Sequence, residues 1–201
     1  MTRLAHVSDL HFGDAAPALV EALASALEVS GADVIVATGD LTQKGKRREF
    51  SQAQDFFKRL DAPAVIAPGN HDTPMFNPVA RSFGAFRRFN RMAPHDAKRS
   101  RIAAAAIRAI NTARGVQARL DWSLGRVSLS EAREAASELA GAPAGAARVI
   151  ACHHPLVTPA GAPFRARTRN GRRAAHLFAE AGVDLVMTGH LHSAFLEPLP
   201  A

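Results

Sequence analysis

Ala64-Val65-Ile66-Ala67-Pro68-Gly69-Asn70-His71-Asp72 is the stretch on which the fold of this chain turns. Its first four residues form a short apolar run with branched Val65 and Ile66, the pattern of a buried strand. Gly69 to Asp72, directly after it, are four polar or special residues, more than a turn requires.

Outward from this stretch the same arrangement recurs. Leu4 to Ser8 runs into Asp9-Leu10-His11, and Val34 to Thr38 into Gly39-Asp40. Arg148 to Cys152 runs into His153-His154-Pro155, and Leu185 to Thr188 into Gly189-His190-Leu191-His192. Helical patterns lie between. Leu19, Leu23 and Leu27 recur at a spacing of four after Pro17, which suits a first helical turn. Phe50, Phe57 and Leu60 mark a second amphipathic helix. Ser128 with Glu131 is a capping-box signature ahead of a helix from Glu131 to Leu139, stopped by Gly141. Gly171 to Ala181 reads as a last helix closed by Gly182. Alternating strand and helix predicts an α/β fold with a largely parallel sheet buried under helices.

The middle of the chain is less regular. Met75 to Met92 carries Phe76, Phe83, Phe86 and Phe89 and reads as helix packed on the core. In Ile102 to Ile110 the alanines favour helix, while the position before Asn111, Gly115 and a second apolar stretch suits a strand pair; the strand reading is preferred. No low-complexity linker divides the 201 residues, so one domain over 1–201 is expected. Gly31 to Asp40 and Gly182 to His190 share a pattern of Gly, Asp, apolar strand, Thr-Gly and a candidate ligand, one local solution used twice.

Composition narrows the function classes. No apolar run reaches the roughly eighteen residues that cross a bilayer, so no membrane span is expected. The first residues run through a strand into Asp9-Leu10-His11, leaving no room for a cleavable signal, and a cytoplasmic location is expected. The single cysteine, Cys152, excludes an internal disulfide and reads as a small buried residue. A formal charge of +7 favours anionic partners, but the basic residues fall in patches that read as solvated faces.

Taken singly the motifs have bland readings: Asp9 and His11 as surface or capping residues, Gly39-Asp40 as a turn, the histidine pairs as hydrogen-bonded side chains. Together, five strand ends carrying Asp, Asn and His are not explained by capping. In open α/β sheets the carboxyl ends of strands line one crevice, so Asp9, His11, Asp40, Asn70, His71, His153, His154, His190 and His192 converge there. Imidazole, carboxylate and amide oxygen suit manganese, iron or zinc, and the lack of paired cysteines argues against a structural zinc site. The ligands exceed what one ion needs; two ions sharing a carboxylate would use them.

With these motifs the sequence resembles the calcineurin-like metallophosphoesterases, and their order looks most like the class III cyclic-nucleotide phosphodiesterase branch. The resemblance spans residues 9 to 192. It implies a four-layer αββα sandwich of two mixed sheets, with the metals at strand ends. It assigns Asp9, His11 and His192 to one metal and Asn70, His153 and His190 to another, with Asp40 bridging. His153 is preferred to His154 because the family ligand stands two residues before the proline. The implied activity is hydrolysis of a phosphodiester, such as a cyclic nucleotide or glycerophosphodiester, by a metal-bridging hydroxide. His71 would steady the phosphate or protonate the leaving oxygen.

Two departures stand out. Gln43 occupies a position where many relatives carry an acid that orients the motif histidine, and the chain ends at Ala201, soon after the last ligand, where relatives continue through further strands. The expected partner is a small phosphate ester. A nuclease of the same superfamily is an alternative, with nucleic acid not favoured, and a non-catalytic metal-binding scaffold is another. His6 reads as a satisfied core histidine, His95 and His176 lack ligand-like neighbours, Trp122 reads as packing, and Arg165, Arg167 and Arg169 lie on a segment able to approach a phosphate.

Overall fold

A computed structural model of the chain describes residues 2–93, 95–102, 104–118, 121–162 and 166–199. Among these residues two sheets are formed. Strands β1 (Leu4–Val7), β2 (Val34–Thr38) and β3 (Ala64–Ala67) make a parallel sheet in the order β1-β2-β3. Strands β4 (Arg99–Ile102), β5 (Ala105–Ala109), β6 (Ala147–Ala151) and β7 (Leu185–Met187) make the second, in that order, with the β4–β5 pair antiparallel and the β5–β6 and β6–β7 pairs parallel.

Strand periodicity decides the layers. Along β2, Val34 and Val36 point one way and Ile35 and Ala37 the other. The first pair meets Val65 and Ala67 of β3 and, across the gap, Ile107, Ala109, Val149 and Ala151 of the second sheet. The second pair lies under Ala24 and Leu27 of α1 (Pro17–Ser30), Phe50 and Phe56 of α2 (Arg47–Arg59) and Phe89. On the far side, Ala106, Ile150 and Cys152 are covered by Ala135 and Leu139 of α5 (Leu129–Ala140) and Ala174 and Phe178 of α6 (Gly171–Glu180). The result is the expected four-layer αββα sandwich. Among the described residues no helix is long and apolar enough to cross a membrane.

The repeated pattern is a repeated corner. Gly31 and Gly182 end α1 and the α6 region at φ 59° and 71°. Two residues on, the carboxylates of Asp33 and Asp184 accept the backbone N–H of Arg3 and Arg148 at 2.8 and 2.7 Å. In return the Asp33 and Asp184 N–H groups bond the carbonyls of the same two arginines, each at 2.9 Å. Each guanidinium donates to the preceding corner, Arg3 to Ser30 O and Arg148 to Gly182 O. One such corner feeds β2 and Asp40, the other β7 and His190.

Several details differ from the sequence reading. Leu19 is 69% exposed, because α1 turns only Ala24 and Leu27 fully inward. On α2 it is Phe56 that is buried, with Phe57 at the edge of the cluster. The Met75 to Met92 segment is two short helices, α3 (Pro78–Gly84) and α4 (Arg87–Met92); Phe89 is buried and Phe86 packs beside it, but Phe76 and Phe83 face solvent. β5 pairs with β4 upstream, not with a strand after Gly115. The capping box is half formed: Ser128 accepts from Glu131 N–H, while the Glu131 carboxylate accepts from Asn111 N–H. His6 sits on edge strand β1 and is exposed, though its Nε2 is 2.8 Å from Thr38 Oγ1.

Candidate metal centre

The loop after each of β1, β2, β3, β6 and β7 delivers its polar side chains to one end of the sandwich. These loops are not relaxed. Asp9, His11, Asp40, His190 and His192 have φ of 55°, 45°, 50°, 72° and 50°, and among the described non-glycine residues Asn170 alone joins them in the left-handed region. Such conformations cost on the order of 1–3 kcal/mol each and persist only where surroundings enforce them. For Asp9, His11 and Asp40 a hydrogen-bonded ladder does so: Asp9 N–H to Gly39 O, His11 N–H to Asp40 O and Phe12 N–H to Leu41 O, at 2.7–3.0 Å. Glycine lets the strand ends close in. A Cβ on Gly69 would collide with the Asp40 carboxylate, and one on Gly189 with the Ser8 hydroxyl.

The ligand-type atoms converge in overlapping groups. Asp9, His11 and His192 offer atoms within 4.8 Å of one another, as do Asp9, Asp40 and His153, and His153, His154 and His190. Asn70 Oδ1 lies 3.2 Å and Asp40 Oδ2 3.1 Å from His153 Nε2. His71 joins through its N–H, which donates to Asp40 Oδ1 at 2.8 Å, and through its ring, edge-on to His11 at 4.9 Å. All eight residues singled out from the sequence therefore meet at one place.

The donor set fits divalent cations. His11 Nδ1 is buried without a hydrogen-bond partner, and Asp9 Oδ1, 3.2 Å from His192 Nε2, accepts no hydrogen bond. His153 Nδ1 donates to Thr38 O at 2.8 Å, which turns Nε2 towards Asn70 and Asp40; a histidine ligand is commonly held this way through its other nitrogen. Burial alone would raise the Asp40 carboxyl, but His153 beside it outweighs burial and holds it below the usual carboxylate range. Burial likewise opposes the charged form of His153, and the Asp40 and Asp9 carboxylates outweigh it and raise its pKa. The same carboxylates that favour a proton there would favour a bound cation, and the two compete. Burial and the nearby His153 push His190 down to about 4, which leaves it the neutral imidazole that a ligand must be.

The two histidines of the His153-His154 pair separate clearly. His154 Nδ1 is 2.9 Å from Thr112 Oγ1 and its Nε2 donates to Ser123 O at 2.7 Å, so both nitrogens are engaged by the protein. Burial, then the neighbouring histidines, hold its pKa well below the ordinary value.

Other members of the site were not legible as such. Asp72 is fully buried and its carboxylate accepts from Gly69 N–H, Leu41 N–H, Thr42 N–H and Thr42 Oγ1 at 2.9–3.3 Å, tying the β3 loop to the β2 loop. Burial, then the Asp40 charge, push it up to about 6. Ser8 donates to Asp9 Oδ2 at 2.5 Å. The motif signal for Asp72 was its place in Gly69-Asn70-His71-Asp72; nothing in the sequence marked Ser8. At position 43 the main chain, not the side chain, meets His71: Nδ1 donates to Gln43 O at 2.7 Å. Arg167 and Arg169 are exposed and line a cavity of about 880 Å³ beside Leu156 and the start of α6, while Arg165 lies outside the described residues. Trp122 donates to Gln117 O and lies under the Arg81 guanidinium.

Comparison with known proteins agrees with this geometry. The profile of the calcineurin-like phosphoesterases matches residues 2–194. An Arcobacter nitrofigilis protein, named as a probable glycerophosphodiester phosphodiesterase GpdQ, is 40% identical over 40 residues, a stretch spanning 20% of this chain and 15% of that relative.

Proposed function

The chain belongs to the calcineurin-like phosphoesterase family, and on that premise we propose that it hydrolyses a phosphodiester with two divalent cations, of manganese, iron or zinc, held at the strand ends. The observation that carries this reading is the set of strand-end residues, five of them strained, whose ligand atoms fall into overlapping groups linked through Asp9 and His153. In this reading Asp9, His11 and His192 hold one ion, Asn70, His153 and His190 hold the other, and Asp40 bridges them. When bound, the ions supply an activated water as nucleophile and neutralise the phosphoryl oxygens.

The chain's own groups do the rest. Ser8 and the His190 N–H fix Asp9, Thr38 O fixes His153, and Asp72 keeps the Asp40 and Asn70 loops in register. His71 has Nδ1 occupied by Gln43 O, so Nε2 is its nitrogen for a substrate oxygen, either to steady it or to protonate it as it leaves. His192, with its side chain 61% exposed, marks the open side, whereas His153 is fully buried; substrate enters past His192 and His71.

Preference for a diester follows from charge. A diester monoanion needs less surrounding positive charge than a monoester dianion, and the residues proposed to hold the ions, Asp9, His11, Asp40, Asn70, His153, His190 and His192, include no arginine or lysine. The glycerophosphodiester phosphodiesterase likeness points the same way. The test is the ratio of kcat/KM for bis(p-nitrophenyl) phosphate to that for p-nitrophenyl phosphate at saturating manganese, with metal content measured in parallel. A ratio above one with two ions per chain is expected. A ratio below one overturns the diester preference, one ion per chain overturns the dinuclear site, and efficient salt-sensitive degradation of single-stranded DNA would identify a nuclease instead.

A further inference from the structure

The segment beyond His71 carries a feature that the reaction does not use. Phe76 is 72% exposed, Val79 68% and Phe83 91%, with Met75 half-exposed before them. Val79 and Phe83, four residues apart, share a face of α3, and Phe76 lies just ahead of its first turn. Three large apolar side chains left to solvent within eight residues form a patch of the kind that marks an interaction surface.

Along the segment itself the charges have one sign. From Thr73 to Ala93 the chain has Arg81, Arg87, Arg88 and Arg91 and no acidic residue. The basic run Lys44 to Arg48 is held against the same segment: Met75 N–H donates to Lys44 O, and the Arg88 guanidinium donates to Gly45 O. Lys46, Arg47, Arg48, Arg87 and Arg91 are exposed. Glu49, the acid closest in sequence to this run, is buried and engaged by the N–H groups of Lys44 and Lys46.

We propose that this face docks on an anionic lipid surface, with Phe76, Val79 and Phe83 entering the interfacial region and Lys46, Arg47, Arg48, Arg87 and Arg91 meeting the headgroups. Exposed apolar side chains with arginine and lysine on the neighbouring segments are the chemistry that binds such a surface without spanning it. A second copy of this chain is the poorer occupant, because a two-fold interface would set these cationic residues against their own copies. The dock lies beside the metal centre, since Gln43, next to the basic run, holds His71.

The experiment is co-sedimentation of the metal-loaded protein with vesicles of phosphatidylcholine alone and of phosphatidylcholine mixed with phosphatidylglycerol, at low and high salt. Binding to the mixed vesicles only, weakened by salt, is expected. Phe76→Ser with Phe83→Ser should lower the partition coefficient about tenfold or more. Arg87→Glu with Arg91→Glu should lower it by about fivefold or more for each position. Turnover of bis(p-nitrophenyl) phosphate, a soluble substrate, should stay at the wild-type level in both variants; if the double phenylalanine variant loses it, Phe83→Ser alone serves. Equal binding to neutral vesicles, or binding indifferent to both variants, overturns the proposal. So does a dimer in light scattering that the phenylalanine variant dissolves.

Discussion

His71 takes its orientation from the main chain: Nδ1 to Gln43 O and N–H to Asp40 Oδ1. A carbonyl fixes the ring as a carboxylate side chain would, without adding a charge to the site. Gln43→Ala should therefore leave turnover near wild type, and a large loss would show that the side chain matters. His71→Ala should lower turnover by about a hundredfold or more while metal content stays unchanged. The loss should be smaller for a p-nitrophenyl ester than for an alkyl ester, because the activated leaving group needs little protonation; equal losses would assign His71 to charge stabilisation. Asp40→Asn should reduce occupancy of both ions, as measured by elemental analysis, since the proposed bridge gives its charge to each.

At the scale of elements, the site depends on how the loops are tied together. Asp72 receives four hydrogen bonds from the β2 and β3 loops and is fully buried. An amide in its place turns one acceptor into a donor facing backbone N–H groups, so Asp72→Asn should cost roughly 3 kcal/mol by urea denaturation. It should weaken metal binding as well, because Asn70 and Asp40 lie at the two ends of the tie. The two Gly-x-Asp corners work similarly but at the surface. Asp184→Ala should destabilise by less than Asp72→Asn, since water can satisfy the Arg148 N–H that it exposes.

For the whole molecule, the decisive fact is that neither sheet holds the site alone. Asp9, His11, Asp40 and Asn70 follow strands of the parallel sheet, while His153, His190 and His192 follow strands of the other. Bound ions would cross-link the sheets and favour the folded state by about 4 kcal/mol at a thousand times Kd. Melting with manganese and with chelator should differ by several degrees, and Asp40→Asn should shrink the difference. Packing gives a second contrast. Phe178→Ala, at a residue with no exposure, should cost about 3–5 kcal/mol, whereas Leu19→Ala should stay within about 0.5.

From the sequence alone came the α/β alternation, the positions of β1, β2, β3, β6 and β7 to within a residue, and the eight polar residues at the strand ends, since strand periodicity and ligand chemistry are properties of neighbouring residues; β4 was not among them. What lay beyond it depended on partners distant along the chain. That both nitrogens of His154 are engaged follows from Thr112 and Ser123, 42 and 31 residues away, reached only when the loops fold over β6. Phe76 and Phe83 have the same composition signal as Phe86 and Phe89, but only the second pair finds α2 and the parallel sheet to pack against. The side a residue faces is decided by what the rest of the chain brings to that side, and no local pattern contains it.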